Sequence, residues 1–413
     1  VSKVTLEWCR EQDAEDPLRD LRNRFDLPED LIYMDGNSLG PLPKGVAERV
    51  ANTINTEWRT DLIKSWNTAD WIKLPSKIGA KIAPLIGASA HEVISADSTS
   101  VNLFKVAAAA CKINPDRFEI LSEPGNFPSD LYMMQGLTKF LGGNYKLKTA
   151  NRTGIIDAIT EKTAVVVLTQ VHYVTADMLD MVAITKAAHD KGALIVWDLC
   201  HSVGAVPLDL NGANADFAVG CGYKYLNGGP GAPAFLFVAD RHLEAVEQPL
   251  TGWMGHKAPF DFVDAYTPND SIKRMLVGTP SVLAASAFDT ALDAFSGVNM
   301  ADIRHKSLGL TKLFIDLVQQ ELSDYSFKNA TPTDSNRRGS HVSLMHNNGY
   351  AIMQALIDHK VIGDFRAPNY MRFGFTPLYL GYEDVYRAVE TLAEIMETEV
   401  WQDPKYSERG SVT

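Results

Sequence analysis

A lysine between two tyrosines and an aspartate at the end of an apolar run are the residues around which covalent chemistry could centre. Lys224 lies in Gly222-Tyr223-Lys224-Tyr225-Leu226-Asn227-Gly228, entered from the apolar stretch 215–221 and left through a glycine-rich turn at 228–231. A lysine so deep in an apolar setting needs a partner or a reaction. Twenty-six residues earlier, the β-rich run Ala193-Leu194-Ile195-Val196-Trp197 ends on Asp198. Alone, Lys224 also reads as a snorkelling edge lysine and Asp198 as the cap of a following helix. Together they meet the needs of pyridoxal phosphate. An amine holds the aldehyde as an imine and moves protons, and a carboxylate keeps the pyridine nitrogen protonated.

The elements that must position these two residues alternate in type. Strands are expected at 92–95, 118–121, near Tyr145, at 164–169, 193–197 and 234–238, with helices over 101–111, 128–141, from Gly154 and over 181–191. Such βαβ repetition predicts a mainly parallel sheet between helices, an α/β fold whose site lies beyond the C-terminal strand ends. Thr169 and Asp198 stand at two such ends, and Phe127-Pro128-Ser129-Asp130 comes after a third. Thr99 and Ser100 open the 101–111 helix, where hydroxyls and free backbone N–H groups suit a phosphate or form an ordinary N-cap.

Before this unit, the first 25 residues have near-helical apolar spacing and predict one amphipathic helix, and further helices are expected over 44–58 and 76–86, the latter bent at Pro84. Between them, Tyr33-Met34-Asp35-Gly36-Asn37-Ser38-Leu39-Gly40-Pro41 is either punctuation or a substrate-facing loop. After it come a short helix at 241–248, a long irregular excursion from Thr251 to Ser281, and a helix from Pro280 through Phe295. A smaller C-terminal α+β domain comes last, with helices over 301–322, 350–359 and 383–399 and strands at 340–345 and 361–375. We divide the chain into an N-terminal segment 1–60 packing with the small domain, a large domain 61–285 and the small domain 286–413. Arg372, on the otherwise apolar run Asn369–Phe375, offers a planar fork for a substrate carboxylate or is an edge-strand surface residue. Trp66 and Trp253 are core residues or flat walls for an aromatic substrate.

Composition narrows the function classes. With 413 residues, 46% of them hydrophobic, the chain has ample core. A net charge of −12 argues against nucleic acid and anionic membrane as main partners. Cys9, Cys111, Cys200 and Cys221 have neither CxxC nor metal-ligand spacing, so neither a disulfide framework nor a metal site is expected. No apolar run approaches the roughly 18 residues of a membrane span, and the first eight residues lack a signal core, so a cytoplasmic protein is expected. GxGxxG, GxxxxGK and HExxH are absent, which leaves nucleotide-binding and zinc-hydrolase readings without support.

With these residues assembled, the chain resembles the kynureninases, within the class V branch of fold-type I pyridoxal-phosphate enzymes. The resemblance rests on Gly36-Asn37-Ser38-Leu39-Gly40, Phe127-Pro128-Ser129-Asp130, Trp197-Asp198-Leu199-Cys200-His201-Ser202-Val203-Gly204 and Tyr223-Lys224-Tyr225-Leu226-Asn227. It implies hydrolysis of L-kynurenine to anthranilate and L-alanine in tryptophan degradation. It implies Lys224 as the Schiff-base lysine, Asp198 against the pyridine nitrogen and Phe127 stacked on the ring. Thr99, Ser100 and Tyr223 would hold the phosphate, and Tyr223 is our candidate for a proton relay. Asp130, Thr169 and His201 would be cofactor neighbours, and Arg372 would take the substrate carboxylate. The family implies a homodimer with sites at the subunit interface, where Trp253 and Thr279 reach the phosphate from the partner subunit. Related enzymes that use 3-hydroxykynurenine are expected to show a histidine and an asparagine where Trp66 and Thr279 stand here. The hydroxylated substrate is therefore expected to be the poorer one. The rivals are another class V enzyme such as a cysteine desulfurase, and a non-catalytic protein that binds pyridoxal phosphate.

Overall fold

A computed structural model describes residues 3–410; the outermost positions of the expected 1–60 and 286–413 segments lie outside the described residues. The chain opens with the helix Leu6–Glu15, not one helix of 25 residues. Pro17 cannot continue it, Asp16 accepts from Leu18 N at 2.9 Å, and a 3₁₀ turn Arg19–Arg24 comes after. The short strand β1 (Ile32–Tyr33) is next. The helix expected over 44–58 divides into an α-helix Val46–Asn52 and π-helical turns Thr53–Asp61. Within the wide turns Glu57 is buried and accepts from Arg49 at 2.5 Å, Asn52 at 3.1 Å and Trp71 Nε1 at 2.7 Å. That pull on one side chain accounts for the local departure from α geometry.

Seven strands form the main sheet: β2 (Val93–Ser95), β3 (Glu119–Ser122), β4 (Lys146–Thr149), β5 (Thr163–Thr169), β6 (Leu194–Asp198), β7 (Phe217–Gly220) and β8 (Phe235–Val238). Their order is β2-β8-β7-β6-β5-β3-β4, parallel throughout from β7 to β4 and antiparallel where β8 meets β7 and β2. The interior strand β5, Thr-Ala-Val-Val-Val-Leu-Thr, is buried at every position, as a β-branched strand with helices on both faces must be. Val166 and Leu168 feed one core cluster and Val165 and Val167 the other, so the two-residue period puts one helical layer on each side. The helix expected over 241–248 shortens to Asp240–Leu243, and the one expected from Pro280 becomes Val282–Ala291 with a 3₁₀ extension Leu292–Phe295. The division we read at 285/286 therefore falls inside a helix.

In the C-terminal part, β9 (Lys328–Asn329), β10 (His341–Met345), β12 (Asp364–Arg366) and β13 (Tyr370–Gly374) make an antiparallel sheet in the order β12-β13-β10-β9, while β11 (Val361–Ile362) pairs in parallel with β1. Helices Met300–Glu321 and Gly349–Asp358 pack on it, Tyr382–Thr398 packs against those two helices, and the N-terminal helix Leu6–Glu15 lies against Tyr382–Thr398. By contrast, Val46–Asn52 packs against Val282–Ala291. Among the described residues, no helix is long and apolar enough to cross a membrane.

Candidate active site

Strand ends bring the site together. β5, β6 and β7 run in register, Thr169 beside Asp198 and Asp198 beside Val219, so the loops leaving these strands emerge on one rim. There a cavity of about 430 Å³ is lined by nine of the residues singled out from sequence: Thr99, Ser100, Phe127, Asp130, Thr169, Asp198, His201, Tyr223 and Lys224. A cleft of about 520 Å³ between the N-terminal segment and the last helix shares no residue with it. Within that cleft Lys306 pairs with Asp16 and Arg22 with Asp384.

The acid end is a carboxyl pair. Asp198 Oδ1 accepts from Cys200 N at 2.7 Å, and Thr169 Oγ1 stands 3.4 Å from both Asp198 Oδ2 and Asp130 Oδ2 while donating to Asn126 Oδ1 at 2.5 Å. Burial, and then the charge and hydrogen bond of Asp198, push the Asp130 carboxyl well above the usual range. Two carboxyls this close in a buried place disfavour a second negative charge, and the shift falls on Asp130.

Lys224 Nζ donates to His201 Nε2 at 2.9 Å and lies 5.8 Å from the Phe127 ring centroid and 5.9 Å from that of Tyr223. Burial disfavours the ammonium, but the acidic groups around it, Cys221 and Cys200 first, outweigh that and raise its pKa. His201 is driven well below the imidazole range by burial and then by Lys224, so the neutral ring accepts at Nε2 and carries its proton on Nδ1. Burial pushes Tyr223 up to about 12, which keeps its hydroxyl a donor at neutral pH.

Opposite, the helix Thr99–Ile113 points its N-terminus at the cavity. Its cap is Ser98, which accepts from Val101 N at 3.4 Å, so Thr99 and Ser100 are not the N-cap. Their hydroxyls and first-turn N–H groups suit an anion. An amine, a buried carboxylate, an aromatic face and an anion cradle on one cavity fit the aldehyde, ring nitrogen, ring and phosphate of pyridoxal phosphate.

Arg372 is no edge residue: β13 lies between β12 and β10, and the side chain is 2% exposed. Its Nε donates to Asp364 Oδ1 at 2.7 Å, Nη2 to Asp364 Oδ2 and to Ser38 Oγ at 3.0 Å, and Nη1 to Tyr173 O at 2.5 Å. Tyr173 lines the cavity, so Arg372 stands one residue behind the wall. Ser38 Oγ donates to Asp364 Oδ2 at 2.6 Å. Asn37 is fully buried against Gly374, and both its amide atoms lack a partner among the described residues.

Three residues stay away from Lys224. Trp66 packs edge-on against Trp71 at 6.1 Å, and Trp253 packs with Phe260 and Phe262 in an exposed aromatic group. Thr279 lines an adjoining cavity of about 120 Å³ that shares Asp97 and Gly231 with the main one. Sequence reasoning passed over Asp364, Tyr173 and Asn126. Asp364 had a signal: two short strands around Ala367-Pro368-Asn369 form a hairpin whose register sets Asp364 opposite Arg372.

Solved structures of similar shape define the class. A cysteine desulfurase from Thermococcus onnurineus NA1 superposes with a TM-score of 0.76 over 92% of this chain and 98% of that one, at 20% identity. A cysteine desulfurase from Escherichia coli gives 0.75 over 92% and 98%, at 18% identity. The fold is that of fold-type I pyridoxal-phosphate enzymes, with the α/β sheet domain and a C-terminal domain. The family described as kynureninase C-terminal domain matches residues 303–392. A kynureninase of Burkholderia mallei is 48% identical over 414 aligned residues, 99% of this chain and 100% of that protein. One of Deinococcus radiodurans is 50% identical over 390, covering 93% and 95%. The chain belongs to the kynureninase family.

Proposed function

We propose that this protein hydrolyses L-kynurenine to anthranilate and L-alanine with pyridoxal phosphate as cofactor. The observation that carries it is the meeting of Lys224, His201 and the Asp130–Asp198 pair on one rim, in a chain similar to kynureninases over nearly its whole length. When bound through its aldehyde at Lys224, pyridoxal phosphate supplies a sink for negative charge at the substrate α-carbon. Asp198 would face the ring nitrogen, with Asp130 beside it. Phe127 would face the ring, Thr169 and His201 would serve its edge, and the first turn of the Thr99 helix with the Tyr223 hydroxyl would hold the phosphate.

Lys224, as a free amine, would take the α-proton and, after the carbon–carbon bond is cleaved, return a proton to the α-carbon, so that L-alanine leaves with its α-hydrogen. Tyr223, a donor across the neutral range, relays protons beside it. Arg372 takes the substrate carboxylate, with Asp364 fixing its Nε edge and Ser38 and Asn37 completing that end. In the overall reaction the Cβ–Cγ bond breaks, the oxygen of water ends in the anthranilate carboxylate, and the β-carbon takes a proton to become the alanine methyl.

The site works as one of a pair in a homodimer, in which Trp253 and Thr279 serve the partner's phosphate. Exposed Trp58, Leu62, Ile63, Phe260, Phe262 and Leu283 support such a surface. Trp66 and Thr279 offer no paired hydrogen bonds to a ring hydroxyl, so 3-hydroxykynurenine is the poorer substrate. Four buried, unbridged cysteines support a cytoplasmic location.

The test is Lys224→Ala. It should fold, lose the visible absorbance of the lysine-linked cofactor, and release anthranilate at least about 10³-fold more slowly. Unchanged release would remove Lys224 from the chemistry.

A further inference from the structure

One buried cation has no part in the reaction just described. Lys105 lies on the Thr99–Ile113 helix, and its side chain is wholly inaccessible. Its Nζ donates to Asp97 Oδ2 at 2.7 Å and to Met275 O at 2.7 Å. Burying an ammonium costs several kcal/mol unless it is paired, so the pairing calls for a reason.

The charge balance of the cavity supplies one. Its lining holds three carboxyls, Asp97, Asp130 and Asp198, and one lysine, Lys224. Burial and the neighbouring Asp198 raise the Asp130 carboxyl well above its usual range, and Asp198 would face the ring nitrogen. Asp97 is left, two residues before Thr99, on the rim where the phosphate is held. Its backbone has φ +45°, an unfavourable region for a non-glycine residue, and Ala234 N bonds its carbonyl at 2.9 Å. A bare carboxylate there would repel a phosphate dianion.

We propose that Lys105 is a positioning residue that cancels Asp97, so that the rim accepts a phosphate ester. The same ammonium, through Met275 O, ties this corner to the segment leading to Thr279. This inference rests on the reading of the cavity as the cofactor site.

The experiment compares binding of pyridoxal 5′-phosphate and of pyridoxal to the cofactor-free full chain by equilibrium titration. The variants are Lys105→Met, Asp97→Asn and the pair together, each checked for its Tm. The readout is the ratio of the two affinities, which a merely structural role leaves alone because both ligands would suffer equally. Lys105→Met should cut the preference for the phosphate ester about thirtyfold, the order expected for a carboxylate facing a dianion across a partly solvated gap. Adding Asp97→Asn should restore it to within about threefold, and high salt should shrink the deficit. An unchanged ratio in Lys105→Met, or a loss that Asp97→Asn does not repair, overturns the proposal. If Lys105→Met does not fold, Asp97→Asn alone decides: a ratio held or raised supports the proposal, and a lowered one overturns it. A wild-type chain that binds both ligands equally would instead overturn the cofactor reading, and this inference with it.

Discussion

The Arg372 guanidinium has most of its five N–H groups engaged: two face Asp364, one Ser38 and one the carbonyl of Tyr173. On our proposal that Arg372 takes the substrate carboxylate, that group would use the remaining N–H on Nη1 and displace Ser38 or Tyr173 from its neighbour. Asp364 sets the plane of the fork, and lysine could not fill both tasks. Arg372→Lys should raise KM for kynurenine and lower kcat/KM about 100-fold, whereas Ser38→Ala should change KM only a few-fold. Steady-state kinetics checks both, and an unaltered KM in Arg372→Lys would place the carboxylate elsewhere. Arg372→Ala should also cost about 3 kcal/mol of stability in urea unfolding, since it removes two hydrogen bonds from the buried Asp364 charge and leaves it the half-exposed Arg366 as ionic partner. The reach of sequence at this scale depends on how each residue is placed. Asp198 and Thr169 end strands and Lys224 follows one by four residues, and apolar runs mark such strands directly. The raised pKa of Asp130, the bracing by Asp364 and the pairing of Lys105 depend on partners 8 to 170 positions away. Arg372 looked as much like an edge residue as a buried one, because strand order is set by pairing that no local pattern records.

Among elements, β7 depends on a clasp at its start. Buried Asp216 accepts from His189 Nε2 and His242 Nε2, each at 2.8 Å, from Arg241 Nη2 at 2.6 Å and from Ile195 N at 2.9 Å. Burial raises its pKa, but the bonds from His189 and His242 outweigh that and hold the carboxyl well below the usual range. A carboxyl with a depressed folded pKa stabilises the fold above its unfolded pKa of about 3.9, and that contribution is lost as pH falls toward the folded value. Asp216→Asn should therefore cost about 3 kcal/mol at pH 7, and the gap to wild type should narrow below about pH 4. Parallel melting curves at the two pH values check this, and a gap constant with pH would contradict it. Secondary elements were legible where burial is continuous: the helix expected over 128–141 is Pro128–Leu141, and the strand expected at 164–169 is Thr163–Thr169. They were misread where one side chain overrides the period, as Glu57 does in the π-turns and Pro17 after the first helix.

At the scale of the molecule, Trp253 and Thr279 lie away from their own chain's Lys224, and Trp253 stands in an exposed aromatic group. A partner subunit would cover that surface and bring both to a phosphate. Sedimentation equilibrium of the holoenzyme should give twice the 45.4 kDa chain mass, and Trp253→Ala should weaken cofactor retention about tenfold. A monomer with full activity would contradict the shared site. The class of fold was legible from the alternation of elements alone, whereas the interface was not, because exposed aromatics carry no periodic mark. The central claim is the reaction, and its most direct measurement is product analysis. Purified protein saturated with pyridoxal phosphate is given L-kynurenine and 3-hydroxykynurenine separately. The account predicts anthranilate and L-alanine in equal amounts from kynurenine, faster than the corresponding products from the hydroxylated substrate. Cofactor bound at Lys224 with no anthranilate formed would contradict it.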